Sequence, residues 1–543
     1  MVHKIEDLVK PFHGDLNSIK ENVLTQPFVI NKENISFDDD EKAIHHKPVM
    51  DFHYQNCSDK YIIEDMDKPN FFNRQYFYYY RLRVEHFTPR IVENAKAMFG
   101  DSIEAVTLGD IRGDKKSLVI GCILKRMQNR MAVLKDFDKQ NKEELEVRLH
   151  REDEMETLAL ETDFLELEDY HKQKVILKGN VDPYKFVTGL VVGIYGTQTE
   201  NYFDVEKMVL PALPPYIERP LLGKDLYVVI ASGFNVNNEC PSILRELNYF
   251  SDIFCSEKYY NNIARIIFAG NNAITFCQKP CCQNTSVNNV MPIGLTLDAD
   301  KTGSALAASS HFRRYFPHIN LDMMPGETDP CSLMLPQQPL NNALFEDHDL
   351  PLDNEEFEDE VKKDNCETKI EIFEVNTESE TKAGDFDASD YWRTGSSGIC
   401  PGNQRVINPV TNPYCFKIMG IEFHGTSGQN VNSFRKLTKK RTPTLEIMRD
   451  IIETGHMIPT APDFTDCFPY NRQDGKDPLA LDQLPHVFFA GNQKEFASQM
   501  VDFGNNQKVR LVSIPKYEDT HSMVVINLRT LQTSQIVCKH RPV

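Results

Sequence analysis

Helical and strand-like spacing of apolar residues divides the chain into segments of different character. The first 70 residues are polar and irregular, and we expect them to form a loosely ordered arm. In FFNRQYFYYYRLRVEHFTPRIVENAKAMFG, residues 71–100, the apolar side chains Ile91, Ala95 and Met98 lie at helical spacing, and Gly100 follows as a stop signal. This segment predicts one long helix.

Short apolar runs follow this helix. SLVIGCILKRM at 117–127 and QKVILKG at 173–179 predict strands, and residues 189–211 predict a hairpin with TQTEN as its turn. Several short strands with glycines after a helix are typical of a small barrel of the OB type. The proline-rich stretch ALPPYIERPLL, residues 212–222, then marks a domain boundary.

The pattern after residue 222 differs, because each apolar run is continuous and ends in a loop with glycine, asparagine or aspartate. Continuous β-branched runs indicate strands that are buried on both faces of a sheet. The loops after such strands are expected at one edge, where α/β and sandwich enzymes carry their chemistry. The five runs are DLYVVIASGFN, ARIIFAGNN, INLDMMPGETDP, KIMGIEFHGTSGQN and HVFFAGNQ.

One helix of this second region is predicted together with both of its ends. Thr442 is the candidate N-cap, and Pro443 suits the first helical position. Gly455 is expected to end the helix. Its inward stripe is formed by Leu445, Met448, Ile451 and Ile452.

The net formal charge of −20 is concentrated in one segment. Between residues 346 and 390 there are 18 acidic and four basic side chains, so the rest of the chain is only mildly acidic. This balance argues against a broad nonspecific DNA-binding surface, which requires clustered lysine and arginine. Residues 346–400 also contain too little apolar surface to offset chain entropy, and we predict a disordered acidic insertion there, with EIFEVN, residues 371–376, as its candidate for a transient strand.

The 13 cysteines are odd in number and scattered, which is typical of reduced thiols in the cytosol or nucleus. Their densest group, Cys277, Cys281 and Cys282 in CQKPCC, has no second pair at ligand spacing, so free thiols are favoured over a zinc clip. No apolar run reaches the roughly 18–20 residues of a membrane helix, and the start MVHKIEDLVK is charged where a signal peptide is apolar. We expect neither a membrane span nor secretion.

The second region resembles the sandwich domain of the calcineurin-type metallophosphoesterases. Working members of that family hold two metal ions with Asp-x-His, Gly-Asp-x-x-Asp and Gly-Asn-His-Asp/Glu loops, and later with a lone His and Gly-His-x-His. Two cations about 3.5–4 Å apart activate water and neutralise phosphate, so several anionic or imidazole ligands are needed. In ASGFN, Ser232 and Phe234 stand where Asp and His are expected, and in AGNNAI, Asn271 and Ile274 stand for the two Asp residues.

The later loops also depart from the family pattern. PGETD keeps an acid at Asp329 but has Glu and Thr in place of Asn and His, and in AGNQK both histidines are replaced, one of them by a lysine that would repel a metal ion. With His456 as the candidate for the lone His, about two potential ligands remain, too few for a pair of metal ions. The degenerate positions in these later loops are Glu327, Thr328, Asp329, His456, Asn492 and Lys494.

We therefore predict an α+β multidomain protein with no catalytic residue, no bound metal and no other cofactor. Its parts are an irregular N-terminal arm over 1–70, a helix plus OB-fold domain over 71–215, and an inactive, calcineurin-like phosphoesterase β-sandwich with flanking helices over 216–543. The acidic insertion 346–400 interrupts the last domain.

Seven strings in consistent order carry a resemblance to a known family. They are FNRQYFYYYRLR, LKGNVDPYKFVTGLVVGIYG, MPGETDPCSLMLPQQPL, NPYCFKIMGIEFHGTSGQNV, HMIPTAPD, CFPY and PHVFFAGN. Together with an OB-type domain followed by a sandwich stripped of ligands, they resemble the B-subunits of the eukaryotic replicative DNA polymerases. Within that family the motifs look most like those of the polymerase delta small subunits.

The resemblance implies a noncatalytic scaffold in the nucleus that acts in DNA replication and repair synthesis. The implied partners are the C-terminal cysteine-rich module of the catalytic subunit of DNA polymerase delta and the third subunit, which reaches the sliding clamp. Contact with DNA and with the clamp would then be indirect. The sequence assigns no residue to partner binding.

Two other functions fit parts of the sequence. A residual metallophosphoesterase would need ligands in number and geometry, which the loops lack. A single-strand-binding OB protein would stack bases on aromatic residues and place lysines along the backbone, although such aromatics more often pack a barrel and the basic balance is weak. The residues available for this role are Tyr184, Phe186, Tyr202, Lys174, Lys178 and Lys185.

Overall fold

A computed structural model gives the architecture of both predicted domains. The residues that it describes are 28–30, 52–63, 71–111, 115–130, 156–236, 241–255, 261–273, 312–313, 315–316, 318–345, 366–374, 407–469 and 477–542. Ile274, the CQKPCC cluster and most of the acidic insertion 346–400 lie outside the described residues. Of the helices within these ranges, none combines the length and apolar character needed to cross a membrane.

The elements are numbered in chain order. The strands are β1 (Phe28–Ile30), β2 (Tyr54–Asn56), β3 (Ala105–Val106), β4 (Ser117–Arg126), β5 (Phe164–Asp169), β6 (Lys174–Gly179), β7 (Val191–Gln198), β8 (Tyr202–Val209), β9 (Tyr227–Ala231), β10 (Ile263–Ala269), β11 (Leu321–Met324), β12 (Cys366–Glu374), β13 (Ile407–Pro409), β14 (Tyr414–Ile418), β15 (Ile421–Thr426), β16 (Val487–Gln493), β17 (Ala497–Asp502), β18 (Lys508–Pro515), β19 (Ser522–Asn527) and β20 (Thr533–Pro542). The helices are α1 (Phe77–Phe99), α2 (Pro241–Phe254), α3 (Gln429–Leu437), α4 (Thr444–Thr454) and α5 (Tyr517–Thr520).

Strands β4 to β8 close into a barrel behind helix α1. The pairs β4–β5, β5–β6, β7–β8 and β4–β7 are antiparallel, and β6–β8 is parallel. This closed order, 4-5-6-8-7-4, agrees with the predicted OB-type barrel. Ile91 and Ala95 of α1 are fully buried, and Gly100 ends the helix with a φ of 94°, whereas Met98 is 47% exposed.

The second domain contains two mixed sheets whose central strands are parallel. The first sheet has the order β1-β12-β20-β19-β9-β10-β11-β13, and the second β17-β18-β16-β15-β14-β2. In the first, β9, β10, β11 and β13 run parallel, and in the second, β15, β16 and β18 do so. The five apolar runs of the sequence thus supply the core of both sheets.

The sheets pack face to face, and helices cover their outer sides, which gives four layers. Apolar residues of the central strands, such as Val228 and Phe423, fill the space between the sheets. Helix α2 covers the first sheet with Leu247 and Phe250. Helices α3 and α4 cover the second sheet on its outer face, where Phe434 is fully buried.

Two segments predicted to lack regular structure contribute strands. Strand β2 of the N-terminal arm pairs with β14, and the neighbouring Tyr61 is fully buried, so this part of the arm belongs to the sandwich core. Within the acidic insertion, β12 pairs with β20 along nine residues. The expectation of irregular structure is wrong for β2 and for the part of β12 before residue 371, whereas residues 371–374 agree with the candidate strand EIFEVN. A short strand gains its stability from its neighbours rather than from its own pattern.

Helix α4 has the predicted end but a different start. Gly455 adopts a left-handed conformation with φ of 73° and ends the helix, as expected. At the other end Pro443 is the N-cap residue, and the hydroxyl of Thr442 donates to the carbonyl of Lys439. The prediction of Thr442 as N-cap is therefore wrong by one residue.

The barrel and the sandwich are joined by close polar contacts. The last carbonyls of α3 accept hydrogen bonds from the barrel, with Lys125 Nζ donating to Leu437 at 2.5 Å and the N–H of Leu158 donating to Lys436 at 2.7 Å. These carbonyls have no partner within the helix, so the barrel residues act as its C-terminal cap. Lys125 is 4% exposed, and burial lowers its pKa to about 8.

Replacing Gly189 with alanine should destabilise this junction. Gly189 has a φ of 93°, and an added Cβ would lie 1.8 Å from the carbonyl oxygen of Pro459 in the sandwich. Gly100 is a matched control, because its φ is 94° and nothing lies within 4 Å of an added Cβ. We expect Gly189→Ala to cost about 2 kcal/mol more than Gly100→Ala in urea unfolding, and equal costs would contradict the close approach.

Candidate functional site

Five loops that follow sheet strands meet and form what we call the loop cluster, residues 232–236, 270–273, 325–329, 427–429 and 491–493. Backbone hydrogen bonds join the first two loops at 2.9 Å, from Gly233 to Gly270 and from Asn235 to Asn271. The third loop is close enough that a Cβ added at Gly326 would lie 2.2 Å from Asn271 Oδ1. As predicted from the runs, these loops lie together.

Three asparagines shape the turns of the loop cluster. Asn235, Asn271 and Asn492 have φ values of 46°, 57° and 55°, in the left-handed region. Asparagine visits this region more readily than most residues with a side chain, because its short polar group can bond locally. Asn271 and Asn492 stand at positions where the sequence analysis predicts that a metal ligand has been replaced. Both therefore have a structural role.

Asp329 is a buried carboxylate whose oxygens accept four hydrogen bonds. Oδ1 accepts from the backbone N–H groups of Asn272 at 2.8 Å and Ala273 at 3.0 Å. Oδ2 accepts from the N–H of Gly326 at 2.9 Å and from Asn272 Nδ2 at 3.2 Å. Burial raises the pKa of Asp329 to about 6, and the backbone donors oppose this shift. A carboxylate has about four acceptor positions, and here all of them are in use.

The remaining polar positions of the loop cluster bond to one another. Asn271 Oδ1 accepts from the N–H of Glu327 at 2.7 Å, and the hydroxyl of Thr328 donates to Asn235 Oδ1 at 3.0 Å. The N–H of Asn492 donates to Ser232 Oγ at 2.8 Å. These contacts tie the loops together through neutral groups.

Glu327 is the second carboxylate of the loop cluster. The residue reaches the surface, in contrast to the buried Asp329, but its carboxylate is largely shielded from solvent. Loss of solvation raises the pKa of Glu327, and Lys516 and Lys436 oppose that shift. Its backbone rather than its carboxylate makes the contact with Asn271.

A second group of amides, which the sequence did not single out, supports the loop cluster from below. Asn412 Nδ2 donates to Gln337 Oε1 at 2.7 Å and to Ser427 Oγ at 2.6 Å. Gln337 Nε2 donates to the carbonyl of Gly326 at 3.1 Å, and Gln429 Nε2 donates to Gln337 Oε1 at 3.1 Å. These amides belong to the strings LPQQPL, TNPY and GTSGQN. The strings are far apart in sequence, so the sequence alone did not indicate that they are in contact.

Two predicted positions point away from the loop cluster. The ring of Phe234 is fully buried and stacks on Tyr517 with centroids 4.2 Å apart, inside the aromatic core below helix α2. The side chain of Lys494 is 76% exposed, and its Nζ lies 3.7 Å from Glu156. Phe234 thus contributes to core packing, and Lys494 is a surface residue.

His456 belongs to a separate buried group at the junction with the barrel. Its Nδ1 accepts from the N–H of Ile458 at 3.1 Å, so Nε2 carries the proton and donates to Asp477 Oδ2 at 2.9 Å. Arg83 of helix α1 donates to the same oxygen at 2.7 Å and to the carbonyl of Pro459 at 2.9 Å. The structure therefore pairs His456 with Asp477 and Arg83 rather than with the other predicted ligand positions.

Burial controls the charges in this triad of Arg83, Asp477 and His456. Burial and the positive charge of Arg83 lower the pKa of His456 to about 4, so the imidazole is neutral at pH 7. Burial alone would raise the pKa of Asp477, but His456 and Arg83 hold it below its usual range. The triad is thus a buried ion pair with a neutral imidazole attached.

The described part of the loop cluster does not fit a pair of metal ions. A dinuclear hydrolytic site needs several anionic or imidazole ligands around both cations. Here the buried carboxylate of Asp329 is saturated by N–H donors, which leaves the carboxylate of Glu327 beside amides, hydroxyls and apolar or cationic groups at the other predicted positions of the loop cluster. The arrangement can hold loops in place, and the described part of the loop cluster falls short of the number of ligands that a dinuclear site requires.

The residues considered for nucleic-acid binding are mostly engaged elsewhere. Phe186 is 6% exposed in the hydrophobic core. Lys174 Nζ lies 3.1 Å from Glu168, and Lys178 Nζ lies 4.3 Å from the ring centroid of Tyr202. These contacts do not favour nucleic-acid binding on the barrel. The residues considered for this role were Tyr184, Phe186, Tyr202, Lys174, Lys178 and Lys185.

Two family models match consecutive parts of the chain. The model described as the DNA polymerase delta subunit OB-fold domain matches residues 75–208, which contain helix α1 and nearly all of the barrel. The model for the B-subunit of DNA polymerases alpha and epsilon matches residues 228–354 and 391–498, which contain most of the sandwich. The prediction of an OB-fold domain followed by a domain of the B-subunit family is confirmed.

Curated relatives extend over nearly the whole chain. The DNA polymerase delta small subunit of Oryza sativa subsp. japonica is 26% identical over 493 residues, which cover 89% of this chain and 96% of the relative. DNA polymerase delta subunit 2 of Drosophila melanogaster is 25% identical over 496 residues, with coverage of 89% and 96%. The DNA polymerase delta small subunit of Saccharomyces cerevisiae is 24% identical over 504 residues, with coverage of 86% and 89%.

Proposed function

Because this chain belongs to the B-subunit family of the eukaryotic DNA polymerases, we propose that it is the small accessory subunit of DNA polymerase delta and has no catalytic activity of its own. Relatives that match nearly the whole chain are named DNA polymerase delta small subunit and DNA polymerase delta subunit 2. The proposed process is DNA replication, with associated repair synthesis, in the nucleus.

The observation that carries the noncatalytic role is the saturation of Asp329. The metallophosphoesterase pattern keeps an acidic residue at this position, and here four N–H groups occupy its oxygens. Asn271 and Asn492 stand in left-handed turns, and Lys494 lies on the surface. The scaffold of an inactive phosphoesterase-like domain would explain loops that meet at one edge while they make only structural contacts.

As an accessory subunit, the protein would link the C-terminal cysteine-rich module of the catalytic subunit to the third subunit, which reaches the sliding clamp. A linker of this kind must keep its binding surfaces in fixed relative positions. The capping of helix α3 by Lys125 and Leu158 and the buried triad at the junction support such a role, since both connect the barrel to the sandwich.

Co-expression would test the linking role. We expect the tagged chain to retain the catalytic subunit when its C-terminal cysteine-rich module is present and to lose it when that module is deleted. The third subunit should bind the tagged chain in both cases. Retention of the catalytic subunit without the module, or binding of the third subunit only through the catalytic subunit, would contradict the proposed arrangement.

The absence of catalysis is tested separately on the same purified chain. We expect no hydrolysis of bis(p-nitrophenyl) phosphate or of single-stranded DNA above the buffer rate when Mn²⁺ is added. An active metallophosphoesterase assayed in parallel is the positive control. Mn²⁺-dependent turnover that co-elutes with the chain would restore the enzyme interpretation.

A further inference from the structure

Four potential metal ligands lie on the outer face of the second sheet, away from the loop cluster. Cys415 and His424 are directly opposite each other on β14 and β15. The backbone N–H of Cys57, just after β2, donates to the carbonyl of Cys415 at 2.9 Å. Glu422 is two residues before His424, and alternate residues of a strand share a face. Three adjacent strands thus present two thiols, an imidazole and a carboxylate.

Three side chains of this group are also close to one another. One ligand atom from each of Cys415, Glu422 and His424 lies within 4.8 Å of the other two, and all three residues are buried. The thiol of Cys57 lies outside this trio: its Sγ is 3.8 Å from the carbonyl oxygen of Gln55, while its backbone N–H is bonded to Cys415. Cys57 is half-buried, which leaves a path from solvent.

Three buried polar atoms of this region lack a hydrogen-bond partner among the described residues, and one of them, Glu422 Oε2, lies 3.1 Å from Lys417 Nζ as an ion pair. His424 is 2% exposed; its Nε2 lies 2.9 Å from Glu422 Oε1, but its Nδ1 is unpartnered. The hydroxyl of Tyr61 is also unpartnered, and its burial, followed by the charges of Cys415 and Glu422, raises its pKa. Buried atoms of this kind are expected where an ion or a water completes the site.

We propose that Cys57, Cys415, Glu422 and His424 bind one zinc ion. Thiolate, imidazole and carboxylate groups are the protein ligands of zinc, and four of them make a closed structural site. Thiolates disfavour magnesium and calcium, which prefer oxygen ligands. Two thiolates and a carboxylate exceed the charge of one zinc ion, and Lys417, whose Nζ lies 3.1 Å from Glu422, supplies a compensating charge.

The zinc ion would fix the N-terminal arm to the sandwich. Cys57 comes from the arm, whereas the other three ligands come from the β14–β15 hairpin. A metal link would add to the backbone pairing of β2 with β14 and to the contact of the Tyr54 hydroxyl with that of Tyr414 at 2.7 Å. This role does not depend on the proposed function in the polymerase.

Metal analysis of the full-length chain would test the site. We expect one zinc per chain by plasma mass spectrometry, and its loss in Cys57→Ser and Cys415→Ser. The matched control is Cys467→Ser, which removes another buried thiol and should keep the zinc. Cobalt(II) in place of zinc should give a thiolate-to-metal charge-transfer band in the wild type and the control, but not in the two site variants.

A second measurement keeps the proposal testable if a variant fails to fold. In the wild-type chain, zinc should protect Cys57 and Cys415 from alkylation, and removal of zinc by a chelator should expose both. Three results would overturn the proposal: a zinc-free wild-type chain that gains no such protection on zinc addition, zinc retained in both site variants, or a disulfide between Cys57 and Cys415 in the native protein.

Discussion

Replacing Arg83 with methionine is expected to lower the free energy of unfolding by about 3–5 kcal/mol, because it leaves the carboxylate of Asp477 buried without its cationic partner. Arg83 and the side chain of Asp477 are fully buried, and their contact is 2.7 Å long. The variant also loses the hydrogen bond from Arg83 to the carbonyl of Pro459, which joins the barrel domain to the sandwich. Urea unfolding followed by circular dichroism would measure the loss.

Arg81→Met provides the matched control for this prediction. Arg81 lies two residues earlier on the same helix, and its side chain is 50% exposed beside Glu85 at 3.0 Å. Exposed pairs of this spacing contribute about 0.3–0.5 kcal/mol, so the control should be nearly as stable as the wild type. If the two variants lose the same unfolding free energy, Asp477 is not left as an isolated charge in the Arg83→Met variant. The buried ion pair is then not the cause of the loss.

The triad also illustrates what the sequence pattern could not reveal. The long helix was predicted from the spacing of Ile91 and Ala95, which depends only on local periodicity. Arg83 and Asp477 are separated by 394 positions, and no local pattern relates them. A charged residue within a helical segment is usually exposed, so its burial follows only from the packing of the barrel domain against the sandwich.

The loop cluster gives the complementary case. The apolar runs predicted strands whose ends would meet, and the positions Ser232, Asn271, Asp329 and Asn492 are indeed brought together. Their partners were not predictable, because each side chain bonds to the backbone of a loop that is distant in sequence. His456 was assigned by its order along the chain, and order alone does not determine which way a side chain faces.

Replacing Asp329 with alanine is expected to cost about 3–4 kcal/mol of unfolding free energy. The change leaves buried N–H groups of Asn272, Ala273 and Gly326 without an acceptor, and each unsatisfied buried donor costs about 1–3 kcal/mol before water compensates. Asp329→Asn should lose less unfolding free energy, since its remaining oxygen still accepts hydrogen bonds from N–H groups. Its amide NH₂ group, however, faces the other N–H donors. Denaturant unfolding of both variants gives the comparison.

Metal addition distinguishes this structural role of Asp329 from a ligand role. If Asp329 only clamps the loops, Mn²⁺ should change the thermal midpoint of the wild type and of Asp329→Asn equally little. If it is a ligand, Mn²⁺ should stabilise the wild type alone, because a ligand that binds only the folded state raises its stability. Glu200→Gln is the control, since this exposed carboxylate in the turn between β7 and β8 should affect neither stability nor the response to Mn²⁺. A selective gain in the wild type would mean that the carboxylate is free to leave its N–H donors, and the noncatalytic interpretation of the loop cluster would then fail.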